Sequence, residues 1–441
     1  MKVKALSRSS SDYVRERSND IHKVQRNLDP TIHPFEQGRE YVRALNSVKL
    51  ERLFAKPFLA ALSGHIDGVY CLTKHPNLLN SIISGSGDGE IRVWHISEQE
   101  TVWRAQAHRG IVQGVCAGRG HSRFLSCSTD KTVRIWDAHG SSEPVQTYYG
   151  KFGFTGLSHH RSDAIFATSG NSIDIWDEER SEPIQMFEWG SDSYQSVKFN
   201  YVEKNILASC GSDRTITLYD IRTNKPLSKL VMTLKANALA WNPIEAFTFV
   251  AGSEDHNAYI FDMRKMTSAR NVLKDHVSAI MDVDYSPTGQ EIVTGSYDRT
   301  LRVYNAWSGH SKDVYHTKRM QRIFSVQFSM DSKFVLSGSD DGNVRLWKAH
   351  ASEKLGVKDN RERAHLEYAA SLKERFKHMD EIRRIDRHRR TPKDIKRADK
   401  LKKEMLSARK KKEENRRKHD KKLAEKERVP ERKKAIIGVA K

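Results

Sequence analysis
The sequence predicts an all-β fold, a seven-bladed β-propeller over residues 58–349, between an N-terminal docking arm (1–57) and a basic α-helical C-terminal extension (350–441). Three observations predict it. Aromatic residues end a short β-like run at Trp94, Trp136, Trp176, Tyr219, Phe261, Tyr304 and Trp347, with gaps of 42, 40, 43, 42, 43 and 43 residues. That is the period of a four-stranded propeller blade. Six of the seven carry an Asp six residues upstream (Asp88, Asp130, Asp213, Asp255, Asp298 and Asp341). Charge is also segregated: the chain carries +20 in all, and residues 351–441 hold 33 Lys and Arg against 17 Asp and Glu, so a near-neutral middle is followed by a basic end.

Each blade reads as a turn leading into alternation. Asp130-Lys131-Thr132-Val133-Arg134-Ile135-Trp136 and Asp298-Arg299-Thr300-Leu301-Arg302-Val303-Tyr304 alternate with period two after their Asp, the mark of a half-buried strand. Small residues such as Ser84-Gly85-Ser86-Gly87 precede the Asp and let strands pass closely near the propeller axis. A His lies 22 or 23 residues before the Asp in three repeats: His65 and Asp88, His108 and Asp130, His276 and Asp298. A catalytic relay needs one copy in a cleft, whereas this pair recurs, so it reads as a hydrogen-bond network tying loop to turn. Repeat three is one residue short, with Gly170 in place of the Asp, and repeats three, four, five and seven lack the His. Their loops should be held less rigidly or by other contacts. The repeats resemble the WD-repeat family, with Gly64-His65, Trp136-Asp137 and Trp176-Asp177 as its signature dipeptides. The last repeat stops after Trp347-Lys348, and Phe58-Leu59-Ala60-Ala61-Leu62 can supply the missing outer strand, which would close the ring and remove an exposed edge.

The two ends are organised differently. In 1–57 large apolar residues (Tyr13, Leu28, Ile32, Phe35, Tyr41, Leu45, Leu50, Phe54) are irregularly spaced, as in an extended arm docking by single anchors, with a short helix about 36–55. Across 361–377, His365, Tyr368, Ala369, Leu372 and Phe376 share a helical face. Thr391-Pro392-Lys393-Asp394 reads as a helix start, with Thr391 as cap. A long Lys/Arg/Glu helix with a thin apolar stripe then runs to about Arg428. Candidate RNA-binding residues are Arg383, Arg384, Arg387, Arg389, Arg390, Arg409, Lys410, Lys411, Lys412, Arg416, Arg417 and Lys418. Such clusters bind phosphate through counterion release, without reading bases; the alternative is a solvated helix that doubles as an import signal. The apolar run ending at Val439 is suited to adding a strand to a partner's edge.

Other classes are set aside. Cys71, Cys116, Cys127 and Cys210 are scattered, as core residues of a reducing compartment and not zinc ligands. There is no apolar run long enough for a bilayer or a secretory signal. A soluble intracellular protein without catalytic site, metal, cofactor or small-molecule substrate is expected.

Three further blocks extend the resemblance to the full length: Asn27-Leu28-Asp29-Pro30 with the stretch 43–58, Glu381-Ile382-Arg383-Arg384-Ile385, and Pro430-Glu431-Arg432-Lys433-Lys434. In these the chain resembles the suppressor-of-fibrillarin family. The resemblance implies a nuclear, nucleolar scaffold of the small-subunit processome, partnered with precursor rRNA, a small nucleolar ribonucleoprotein and other processome proteins, acting in rRNA processing and ribosome biogenesis. Animal relatives are also described as substrate receptors of a cullin-4 RING ubiquitin ligase, whose adaptor motif is Trp/Tyr-Asp-x-Arg. Here Tyr219-Asp220-Ile221-Arg222 and Phe261-Asp262-Met263-Arg264 are similar, making Arg222 and Arg264 candidate adaptor contacts. The alternative is that Asp and Arg only finish a strand and its turn.

Overall fold
Alternation becomes pairing in seven antiparallel sheets. The structure, a computed structural model, describes residues 34–118, 120, 122–140, 142–188, 193–420 and 428–440. Six sheets have four strands and one has five. In chain order blades 1 to 7 occupy 69–106, 112–149, 156–187, 194–232, 236–273, 280–315 and 323–348. Blade 7 takes its outer strand from the other end of the propeller. Phe58–Ser63 pairs with Asn343–Lys348, with Leu62 opposite Val344, and so closes the ring as the sequence predicts.

The recurring aromatics explain the cohesion. Among the described residues of the propeller, seven buried clusters are each shared by two successive blades. Each aromatic of the 40–43-residue repeat packs on the blade before it: Trp136 with Ile83 and Trp103, Trp176 with Ile135 and Tyr148, Trp347 with Val303 and Tyr315. The last cluster joins Ala60, Leu62 and Leu346 to Val69, Ile82 and Trp94, so blade 7 meets blade 1 through the closing strand.

The repeated Asp has a local reason. The carboxylates of Asp88, Asp130, Asp213, Asp255 and Asp298 each accept the N–H two residues on, at 2.9–3.2 Å. This Asx turn steadies a left-handed residue directly after the Asp: Gly89, Lys131, Arg214, His256 and Arg299 all have positive φ. Glycine is required at position 89, where a Cβ would stand 2.1 Å from the His108 carbonyl oxygen.

The chain divides into two compact units. One holds Ala55–Glu353 with Arg389–Lys441, the other the chain before Ala55 with Lys354–His388. The smaller unit contains α1 (Glu36–Leu53), α2 (Asn360–Arg375) and α3 (Asp380–Arg387). Ala44 and Val48 of α1 pack on Leu372 and Ile382, with Tyr41 edge-on to Phe376 at 5.9 Å. Tyr41 donates to Glu381 at 2.8 Å, Arg375 pairs with Glu40 at 2.6 Å, and Lys373 pairs with Glu51. The expected anchors Tyr13, Leu28 and Ile32 lie outside the described residues.

In the larger unit α4 (Lys393–His419) starts one residue later than the sequence suggests. Pro392, not Thr391, holds the cap position, and it has no side chain able to bond the first turn. The expected end near Arg428 is not reached, for α4 stops at His419 and residues 421–427 lie outside the described residues. The apolar terminus adds to this chain's own sheet. Ile436–Ala440 pairs antiparallel with Lys225–Met232 as a fifth strand of blade 4, with Val439 opposite Leu230. Ala435 is buried in the cluster between blades 4 and 5, which explains the choice of edge.

Candidate binding surfaces and the locks beneath them
Two of the three predicted His/Asp pairs are hydrogen-bonded in the structure. In blade 2 His108 Nδ1 lies 3.0 Å from Asp130, and Nε2 lies 2.7 Å from the Ser126 hydroxyl, which also accepts the Trp136 indole N–H at 2.8 Å. In blade 6 His276 bridges Asp298 at 2.8 Å and Thr294 at 2.6 Å. Here the aromatic is Tyr304, whose hydroxyl donates to the Lys274 carbonyl instead. Burial pushes both imidazoles below their ordinary pKa, more than the neighbouring carboxylates raise it, so they stay neutral near pH 7. Asp298 is held well below the usual carboxylate range: burial acts upward, but His276, Thr300 and Arg302 together outweigh it. The side chains of His65, His108 and His276 have no solvent exposure.

Blade 1 departs from the expected pairing. His65 Nε2 meets Ser84 at 2.7 Å, and Trp94 donates to the same hydroxyl at 2.7 Å. Its Nδ1 faces Glu90 at 3.3 Å, however, while Asp88 only holds its own turn. His65, Asp88 and Glu90 bring three ligand atoms within 4.8 Å of one another. The Arg92 guanidinium already pairs with Glu90 at 2.9 Å, and a second cation there would meet that charge. Blades without the His use other locks. Arg345 of blade 7 donates to Ser339 at 2.6 Å and pairs with Asp341, Lys229 pairs with Asp213 at 3.1 Å, and the Tyr259 hydroxyl donates to Asp255. Arg345 and Tyr259 each stand four residues after their Asp but are different side chains, and Glu90 and Lys229 stand two and sixteen residues after theirs, so no single residue type at a fixed spacing marks these locks in the sequence.

The inner strand of blade 6 is a second feature absent from the repeat pattern. Asp282 accepts the Val326 N–H at 2.7 Å, and Asp284 accepts that of Phe328 at 2.9 Å, stitching blade 6 to blade 7. Lys74 of blade 1 reaches Asp284 at 3.1 Å. Burial pushes the Asp282 carboxyl up to about 6.

The Asp/Arg motifs lie at strand ends. Arg222 clamps Asp220 through Nε at 3.2 Å and Nη2 at 2.9 Å, and Arg264 clamps Asp262 at 3.1 and 2.9 Å. Each Asp also accepts the backbone N–H of its Arg at 3.0 Å, so the motif does finish a turn. Both guanidinium-bearing side chains are nevertheless well exposed, at 70% and 63%. Arg264 lies over the Phe247 ring, 4.3 Å from its centroid.

The candidate RNA-binding cations are spread over two places. Arg383, Arg384 and Arg387 are exposed on α3. In the larger unit Arg390, Arg409, Lys410, Lys411, Lys412, Arg416 and Lys418 are exposed, while Arg417 is half-buried beside Glu413. Arg389 is turned inward instead, where it donates to the Lys312 carbonyl and lies 3.5 Å from Asp313. Ile395, Ala398, Asp399 and Lys402 are the half-buried side of α4, at the i, i+3, i+4, i+7 spacing of one helical face. The Lys402 ammonium donates to the His276 carbonyl at 2.7 Å, and burial lowers its pKa against the pull of Asp255, Asp399 and Asp275. After Lys402 the helix is exposed on nearly every side for about 25 Å. Residues 403–419 carry eight Lys and Arg against three Glu.

Family models match both the repeats and the C-terminal segment. Residues 349–436 match a Sof1-like domain, and 56–95, 99–137, 268–305 and 307–348 each match a WD domain, G-beta repeat. The matched segments contain the inner three strands of blades 1, 2, 6 and 7, and three of them hold the buried histidines His65, His108 and His276. The chain is 52% identical over 426 residues to DDB1- and CUL4-associated factor 13 of Xenopus laevis, covering 96% of each protein. It is 48% identical to Protein SOF1 of Saccharomyces cerevisiae (strain ATCC 204508 / S288c), covering 99% of this chain and 95% of that one. With DDB1- and CUL4-associated factor 13 of Homo sapiens it shares 49% identity over the whole of both chains.

Proposed function
Because this chain belongs to the Sof1-like family, we propose that it is a non-catalytic scaffold and assembly factor of the small-subunit processome. In this reading it works in the nucleolus, in precursor small-subunit rRNA processing and ribosome biogenesis, beside a small nucleolar ribonucleoprotein and other processome proteins. Residues 1–57 act as docking arm, 58–349 as platform and 350–441 as basic extension.

The observation that carries the reading is the free-standing cationic stretch of α4, which lies inside the Sof1-like segment. A packed helix would bury an apolar face, yet α4 has no fully buried residue. Rows of cations held out in water suit the phosphates of an RNA backbone. Changing Arg409, Lys410, Lys411, Lys412, Arg416, Arg417 and Lys418 to Gln is expected to weaken binding to precursor-rRNA fragments by on the order of a hundredfold. It should also flatten the salt dependence of binding, measured by titration at several ionic strengths. Co-sedimentation with precursor rRNA that neither the change nor raised salt disturbs would remove α4 from the mechanism.

A second reading has its own support in the exposed Arg222 and Arg264 and in the name of the vertebrate relatives, which associates them with DDB1 and CUL4. Here the chain is a substrate receptor of a cullin-4 RING ubiquitin ligase, and both arginines contact the adaptor. The double change Arg222→Ala and Arg264→Ala is expected to abolish adaptor pull-down. Undiminished capture by the double variant would count against this reading.

A further inference from the structure
Between blades 5 and 6 lies a cavity of about 260 Å³, lined by Glu245, Arg270, Tyr285, Thr288, Gln290 and Trp307 among others. Trp307 is 68% exposed, the opposite of the buried tryptophans that hold the blades together. The Arg270 guanidinium lies 4.4 Å from its ring centroid, positioned by Glu245 at 2.7 Å and Thr248 at 3.2 Å. Tyr285 is only 2% exposed, and among the described residues its hydroxyl has no hydrogen-bond partner. A phenylalanine would fill the same space without an unmet polar group. Burial raises the Tyr285 pKa, so the hydroxyl remains a donor at neutral pH.

These features restrict the ligand. Glu245, the one carboxylate among the described lining residues, is already matched by Arg270, which disfavours a metal ion or a cationic side chain. A surface aromatic beside a guanidinium is a stacking platform for a planar ring, and a buried lone donor can read that ring's edge. A second stack, Arg264 over Phe247, adjoins it: Asp262, which holds Arg264, is paired in register with Thr248 of the cavity wall. That places another cation where a phosphate next to the ring would run.

We propose that this cavity takes one unpaired base of a single-stranded RNA, stacked at Trp307 and met at its edge by the Tyr285 hydroxyl. The proposal rests on the reading of the chain as an RNA-bound scaffold and adds to it a site that senses the base. Oligouridine and oligoadenosine serve as probes for the full chain, with affinity measured by titration and contacts by ultraviolet crosslinking and peptide mapping. A crosslink on the peptide containing Trp307 or Tyr285 is expected. Trp307→Ala should lower affinity about tenfold, and its exposure makes loss of folding no explanation. Tyr285→Phe should shrink the difference between the two probes while leaving the melting temperature unchanged or higher. The seven-Gln variant of α4 should bind more weakly but keep both the crosslink and the probe preference. Binding by the full chain that neither Trp307→Ala nor Tyr285→Phe alters overturns the cavity site and leaves the role of α4 standing. No RNA binding by the full chain overturns both. In the native particle, a protein peptide joined to Trp307 in place of a nucleotide also overturns it, in favour of a protein anchor.

Discussion
Deleting residues 58–62 from the full chain is expected to lower stability by at least about 5 kcal/mol and to increase self-association. Leu62 is 2% exposed among Val69, Ile82, Trp94 and Val344, and burying a leucine contributes roughly 1.5–3 kcal/mol. The ladder with Asn343–Lys348 adds several hydrogen bonds at about 1 kcal/mol each. Phe58 further caps Trp347 edge-on at 5.4 Å. Without the strand, Asn343–Lys348 would be a bare edge, and the seventh buried cluster would lose its Ala60 and Leu62 side chains. Denaturant titration and light scattering of the shortened chain read both effects. An unchanged midpoint with a monomeric mass would show that closure depends on something other than this strand.

The second large effect concerns blade 6. His276→Ala leaves the Asp298 carboxylate, 4% exposed, without its buried partner, which should cost about 3–5 kcal/mol. Thr300 and the adjacent Val277 N–H still bond the carboxylate, so the lower half of that range is expected. The same pair makes stability depend on pH. The folded His276 pKa lies below its ordinary 6.5, so the unfolded chain takes up protons first as pH falls. Its contribution is complete above about pH 6.5 and declines as pH falls below that value toward the folded pKa. Asp298 is also depressed, so its contribution holds above 3.8 and is lost only in stronger acid. Unfolding midpoints measured from about pH 7.5 to about pH 5 should therefore fall, and should fall less in His276→Gln. A wild-type midpoint flat across that window would contradict the buried neutral imidazole.

Features held within one repeat were legible. Asp130 and Trp136 act on their own turn and strand, and His108 reaches Asp130 at a constant offset, so spacing alone exposed them. The candidate cations of α4 were equally plain, because a run of Lys and Arg has no apolar alternative. What spacing could not reveal is substitution at a distance. Glu90 takes the place of Asp88 at His65, and Arg345 stands where blade 7 has no His. Arg389, one charge in a basic cluster, is spent on the propeller, and Trp307, three residues after Tyr304 and outside the aromatic spacing, carries no sequence mark of its exposure.

Blade number, the closing strand at residues 58–62 and the start of the charged helix to within one residue were determined by the sequence itself, since strand alternation, turn residues and charge runs are properties of neighbouring residues. Tertiary structure alone decided that Ile436–Ala440 joins blade 4, that Lys74 reaches Asp284 across the ring, and that Tyr285 faces a cavity. The reason is physical: a β-prone run suits any open edge and a lysine any carboxylate. Which one is chosen depends on the surfaces brought together and stripped of water when the ring shuts.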